Sequence, residues 1–143
     1  MDKYQNYKHL FSKLNRALLN EFYLEAIFIE YAIIEDRAKS LLIRLERFDE
    51  NKHNTISKKL TAINHVLDLK TCILSNYLTK DLIEKVRAWI SVRNILIHAL
   101  PNIEYRDEQV KEVALEGQRL SKIYSTKIGL HKKMYLRKTK IED

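Results

Sequence analysis

Two glycines (Gly117 and Gly129) and one proline (Pro101) are all that 143 residues contain. A β-rich chain reverses direction often, and its turns need backbone angles that glycine and proline supply. Their scarcity points to long helices joined by short polar links. Hydrophobic residues make up 45% of the chain, enough for one core in a chain of single-domain length.

The apolar residues repeat in keeping with this. A first helix over about 4–19 places Tyr7, Leu10, Phe11, Leu14 and Leu18 on a 3.6-residue rhythm. A second, over 21–48, is apolar nearly all round across residues 22 to 34, which predicts a central, almost inaccessible position. Its second half is amphipathic, with Leu41, Leu42 and Leu45 opposite Arg37, Arg44 and Arg47. The stretch from 22 to 34 is too short to span a bilayer and is broken by Glu25 and Glu30. Residues 49–57 read as a polar loop, with Ser57 as N-cap of a third helix to Leu69. A fourth starts near Thr79 or Asp81, where Asp81 and Glu84 resemble a capping box, and runs to about Leu100, where Pro101 stops it. A fifth covers 103–126. The expected fold is all-α, an antiparallel bundle of four or five helices over 1–126. Residues 127–143 follow as a basic C-terminal tail or helix extension.

The net charge is +7 and the pI about 9.4, a balance that favours polyanions or an acidic partner. In the last 17 residues Lys127, Lys132, Lys133, Arg137, Lys138 and Lys140 stand against Glu142 and Asp143. The first five of these cations are candidate RNA contacts, and the same pattern also suits a solvated helix end. Cys72 is the only cysteine, which rules out an intramolecular disulfide and a cysteine-based zinc cluster and suits a reducing cytosol. The first eleven residues lack the apolar core of a signal peptide, so a cytoplasmic protein without a membrane segment is expected. His9, His53, His65, His98 and His131 are scattered with no pair at four-residue spacing, and no Gly-rich phosphate loop is present. Neither a metal site, nor an ATPase, nor any cofactor is expected.

The fourth helix carries the chemistry-bearing residues. On a helical wheel Arg87, Ser91, Asn94 and His98 fall within about 60° of one another as a polar stripe. Arg93 instead occupies a place in the apolar series Leu82, Val86, Trp89, Arg93, Leu96, Leu100, where a charge needs an anionic or hydrogen-bonding partner. Glu30 or Glu35 would serve as that partner in a purely structural role. Arg93 and His98 leave the helix about 140° apart, so they converge only near the helix end or across a two-fold axis. Asn94, one turn from His98 on the same face, is placed to orient it. A second pair with similar spacing, Arg47 and His53, straddles a helix end and a loop.

The segment Arg93-Asn94-Ile95-Leu96-Ile97-His98 resembles the R-x(4–6)-H motif of the HEPN superfamily, including the polar residue directly after the arginine. Glu35-Asp36-Arg37-Ala38-Lys39 is similar to the E-x3-K/R pattern that many members carry on an earlier helix. The resemblance covers roughly residues 4–126. It implies a small antiparallel helical bundle, commonly dimeric, and a metal-independent endoribonuclease such as a toxin or phage-defence effector, with an antitoxin protein as a further partner. Leu100 stands where some toxin members place a tyrosine two residues after the histidine, so that branch is not implied. On this reading Arg93, Asn94 and His98 are catalytic, Glu35, Lys39, Arg87 and Ser91 support them, and RNA cleavage proceeds by attack of the 2′-OH. Two other readings stand beside it: a HEPN-type module without activity, serving interaction or nucleotide sensing, and an unrelated helical nucleic-acid-binding protein.

Overall fold

Side chains cap the starts of three helices in this chain, and no helix end among the described residues relies on glycine. In the computed structural model the described residues are 2–69, 73–101 and 107–142. They form five helices, α1 (Lys3–Leu19), α2 (Tyr23–Arg44), α3 (Ile56–Leu67), α4 (Lys80–Ala99) and α5 (Asp107–Glu142), with a 3-10 turn at Ile73–Asn76. There is no strand among the described residues, and no helix among them is long and apolar enough to cross a membrane. The expected all-α bundle is therefore found. Cys72 and the expected start of the fifth helix at Ile103 lie outside the described residues.

Helix starts are fixed by hydroxyls and a carboxylate. Asp2 accepts from the Gln5 amide, Thr55 from Lys58 at 3.2 Å and Thr79 from Leu82 at 3.1 Å. The caps are thus Thr55 rather than Ser57, and Thr79 rather than the expected Asp81–Glu84 box. Each threonine sits in extended backbone just before its helix, where its oxygen meets an otherwise unpaired N–H. Pro101 ends α4 as expected, with Leu100 as C-cap.

Helix α2 is shorter than the expected 21–48, because Glu21 and Glu46 adopt left-handed backbone (φ 62° and 57°). Both sit in the same closing motif: Phe22 N–H donates to the Ala17 carbonyl at 2.8 Å, and Arg47 N–H to that of Leu42 at 2.9 Å. The tight turn after α1 sends α2 back along it. Tyr7 Oη and Lys3 Nζ of α1 consequently reach Asp36, and Lys3 also reaches Ser40.

Asn64 meets Glu84, and Arg87 meets Ser57 and Thr61, so α3 and α4 are antiparallel. Trp89 Nε1 donates to the Val113 carbonyl at 2.9 Å, joining α4 to α5. Between α2 and α5 the contacts rise together along the two sequences: Glu30 lies against Gly117, Arg37 donates to Ser125 and Arg44 to the Ile128 carbonyl. This central pair is parallel. Sequence neighbours such as α1 and α2 are antiparallel, and the long link over 45–55 carries the chain back to make the α2–α5 pairing possible.

The core is built from Leu14, Ile27, Ile33, Ile34, Leu41 and Leu42 of the first two helices, with Leu60, Ile63, Ile83, Val86, Trp89, Leu120, Tyr124 and Ile128 from the others. One expectation is corrected here. Residues 22–34 are not uniformly hidden, since Phe22 is 58% and Phe28 70% exposed: α1, α3 and α5 leave one stripe of α2 open to water. Of the two forms open to the basic segment, tail or helix extension, it takes the second and continues α5, which at 36 residues is about 54 Å long. Ile128 and His131 are buried beyond the expected helix end at Thr126. His131 Nδ1 accepts from Arg44 Nη2 at 3.1 Å, and the ring lies edge-on to Tyr77, which fastens the extension to the bundle.

Candidate functional site

Arg93 sits one turn beyond Trp89 on α4, and its half-buried side chain turns towards α2. Its guanidinium carbon lies 4.1 Å from the centre of the Tyr31 ring. Nη1 donates to Asn94 Oδ1 at 2.9 Å. Nε is buried without a hydrogen-bond partner. Among the described residues no carboxylate forms an ion pair with it. The expected partners Glu30 and Glu35 are therefore not its counter-ions. Stacking on an aromatic face gives a planar cation about 0.5–2 kcal/mol of attraction without neutralising it. An oriented guanidinium with unneutralised charge is suited to gripping two oxygens of a phosphate.

His98 projects from the last turn of α4 and is exposed. Asn94 is engaged by Arg93, and no hydrogen bond joins it to His98 among the described residues, so it steadies the arginine where the sequence suggested that it orients the histidine. Burial, and the nearby Glu35 carboxylate, push the Tyr31 hydroxyl up, while Arg93 pulls it down. Tyr31 was not identifiable from the motif alone. The available signal was its position four residues before Glu35, which puts both on one face of α2.

The other expected site residues scatter. Glu35 is half-buried beside Tyr31. Lys39 turns away, its Nζ 5.3 Å from the centre of the Phe48 ring. Arg87 is held against α3 by Ser57 and Thr61, each at 3.3 Å, and by Glu84 at 3.6 Å. It joins two helices and does not converge with Arg93. Ser91 is exposed on α4. Lys127, Lys132, Lys133, Arg137 and Lys138 are exposed along the extension of α5 and make no ion pair among the described residues. The Arg47–His53 pair is tied into its loop: His53 Nδ1 accepts from the Asp49 amide at 3.0 Å, and the ring lies against Phe48.

Outside the pair, α4 presents Ala88, Val92, Ile95 and Ala99 at spacings of four, three and four. Val92 is 51% and Ile95 71% exposed. Such a seam is the pattern by which one helix packs on another. His98 lies about 60° round the helix from Ile95 and so borders it. Two grooves indent the surface elsewhere. One of about 600 Å³ between α1 and α2 is lined by Lys3, Asn6, His9 and Asp36. Another of about 300 Å³, beside the start of α4, is lined by Lys85, Arg119 and Lys127. Neither is lined by Arg93 or His98.

Comparison with models of known families, with curated proteins and with solved structures finds no match for this chain.

Proposed function

We propose that the protein is a metal-independent endoribonuclease of the HEPN kind, a toxin or phage-defence effector in role, working as a homodimer. The observation that carries the reading is Arg93: stacked on Tyr31, held by Asn94, without a carboxylate counter-ion among the described residues, and on the same helix as the exposed His98. RNA brings its own nucleophile. As the 2′-OH attacks the adjacent phosphorus, its proton passes to a base, the P–O5′ bond breaks and the departing oxygen takes up a proton. The products are a 2′,3′-cyclic phosphate and a 5′-hydroxyl. An imidazole carries protons at neutral pH, and a guanidinium favours the more highly charged transition state. Because Arg93 and His98 leave α4 about 140° apart, a second copy docked on the Ala88–Val92–Ile95–Ala99 seam supplies the complementary half of the site. The exposed lysines of α5 guide the strand electrostatically.

A helical nucleic-acid-binding protein without catalysis is the second reading, favoured by the exposed cations on α5 and by the lack of a hydrogen bond between Asn94 and His98 among the described residues. Incubating purified protein with total RNA in EDTA separates the two. The nuclease reading expects cleavage ending in cyclic phosphates, no action on DNA, and a loss of roughly 100-fold or more in His98→Ala and Arg93→Ala. A smaller loss is expected in Asn94→Ala, and none in Arg47→Ala or His53→Ala. Full activity in His98→Ala, or a strict Mg²⁺ requirement, refutes it. Ultracentrifugation that finds only the 17.1 kDa monomer at micromolar concentration removes the composite site.

A further inference from the structure

The open stripe of α2 consists of Leu24, Phe28, Tyr31 and Glu35, four positions within about 60° on the helical wheel. Two of them are aromatic and stand one turn apart, with Cβ atoms about 5–6 Å from each other. Tyr31 is occupied by the Arg93 guanidinium. Phe28 is 70% exposed, and among the described residues no ring or cation covers it. Beside an oriented cation that no carboxylate among the described residues neutralises there is thus a bare phenyl face. An apolar partner surface would cover Phe28 and leave Arg93 without an anion. A nucleotide satisfies both, since its base is a flat π system and its phosphate is the charge that Arg93 lacks. Glu35 lies on the far side of Tyr31 from Phe28, so phosphate is repelled at that end and the strand is confined to the Phe28 side.

We infer that Phe28 and Tyr31 form a stacking platform on which an unpaired nucleotide of the substrate rests, its base on Phe28 and its phosphate on Arg93. The substrate is therefore single-stranded RNA or a loop. Bases inside a duplex show only their edges, whereas unstacked bases offer their faces to aromatic side chains. This inference rests on the reading of Arg93 as the phosphate-holding group. Phe28 is a binding residue in it and takes no part in proton transfer.

Binding is separated from cleavage by a fluorescently labelled 2′-O-methyl RNA 12-mer, which has no free 2′-OH, read by anisotropy as a single strand and as a duplex. The wild type is expected to bind the single strand at least tenfold more tightly than the duplex. Phe28→Ala should weaken single-strand binding by about 5- to 100-fold, with an unchanged circular dichroism spectrum because the side chain is exposed, and Phe28→Trp should restore it. Equal affinity for the duplex, an unchanged Phe28→Ala, or no binding by the wild type overturns the platform. So does a change of sedimentation confined to Phe28→Ala, which would assign the ring to a second copy of the chain. Phe28-dependent binding with unmodified RNA left intact sinks the nuclease reading alone. His98-dependent cleavage that Phe28→Ala leaves unchanged, with unchanged binding, sinks the platform alone.

Discussion

Replacing Glu30 by glutamine tests the packing of α2 against α5 more directly than any apolar substitution. The Glu30 side chain is fully buried between α2, α4 and α5, and neither of its oxygens has a hydrogen-bond partner. Burial alone pushes its carboxyl up from 4.5 to about 9. At pH 7 the folded protein therefore holds Glu30 as a neutral acid, while the unfolded chain releases that proton. The folded pKa lies above the unfolded one, so stability is greatest below pH 4.5 and is lost as pH rises towards 9. The slope approaches 1.4 kcal/mol per pH unit, which amounts to about 3 kcal/mol at pH 7. That is a large share of the 5–15 kcal/mol that holds a domain of this size together. Glutamine keeps the shape of the neutral acid and has no proton to lose. Urea unfolding of both proteins at pH 5, 6, 7 and 8 is the assay. The advantage of Glu30→Gln should grow from under about 1 kcal/mol at pH 5 to about 3 kcal/mol at pH 7. A difference that stays flat from pH 5 to 8 refutes the reasoning, because it means that Glu30 is charged in the folded protein and has a partner.

Three further outcomes follow from neighbouring features. A Cβ on Gly117 would collide with the Glu30 carboxyl and the Trp89 ring, so Gly117→Ala should cost about 1–3 kcal/mol, and less in a Glu30→Ala background, where only the Trp89 clash remains; equal losses in both backgrounds would show that the two positions are not coupled. Glu21→Gly and Glu46→Gly should each raise stability by about 1 kcal/mol in thermal or urea melts, since both glutamates hold left-handed backbone that glycine adopts without strain. Burial first, and then Arg44, pull His131 down from 6.5 to about 4, so its contribution is complete above pH 6.5 and is lost as pH falls; His131→Gln should remove roughly 1–2 kcal/mol of acid sensitivity between pH 6.5 and 4.5.

Much of the fold is legible in the sequence because its signals are local. Pro101 ends α4 whatever surrounds it, and the rhythm of Tyr7, Leu10, Leu14 and Leu18 specifies α1 unaided. The misreadings come from features that depend on the rest of the chain. Glutamate at a left-handed position carries no turn signal, so both ends of α2 differ from the expected ones by a few residues. An all-round apolar helix does not reveal which stripe its neighbours leave open, and Phe28 is identical in type to a core residue. The choice between tail and helix extension after Thr126 stays open in the sequence because Ile128 and His131 find their burial against α2 and Tyr77, distant in sequence. In the candidate site, the motif identified Arg93, Asn94 and His98. It could not show that Asn94 turns to the arginine or that Tyr31 stacks on it, since both depend on side-chain direction and on how α2 and α4 meet.

The pairing of α2 with α5 also sets an order of events during synthesis. Arg37 donates to Ser125 across 88 positions of sequence, and Arg44 meets His131 across 87. While the chain is being made, α1 and α2 can close on each other early, but the α2 face that packs on α5 has no cover until α5 emerges. Closing so long a loop is slow compared with local helix formation, so the nascent chain exposes an apolar surface until α5 is available. Arg93 and Tyr31, on helices that α5 holds together, come into register only then, and any activity of the site begins with completion of the C-terminal helix.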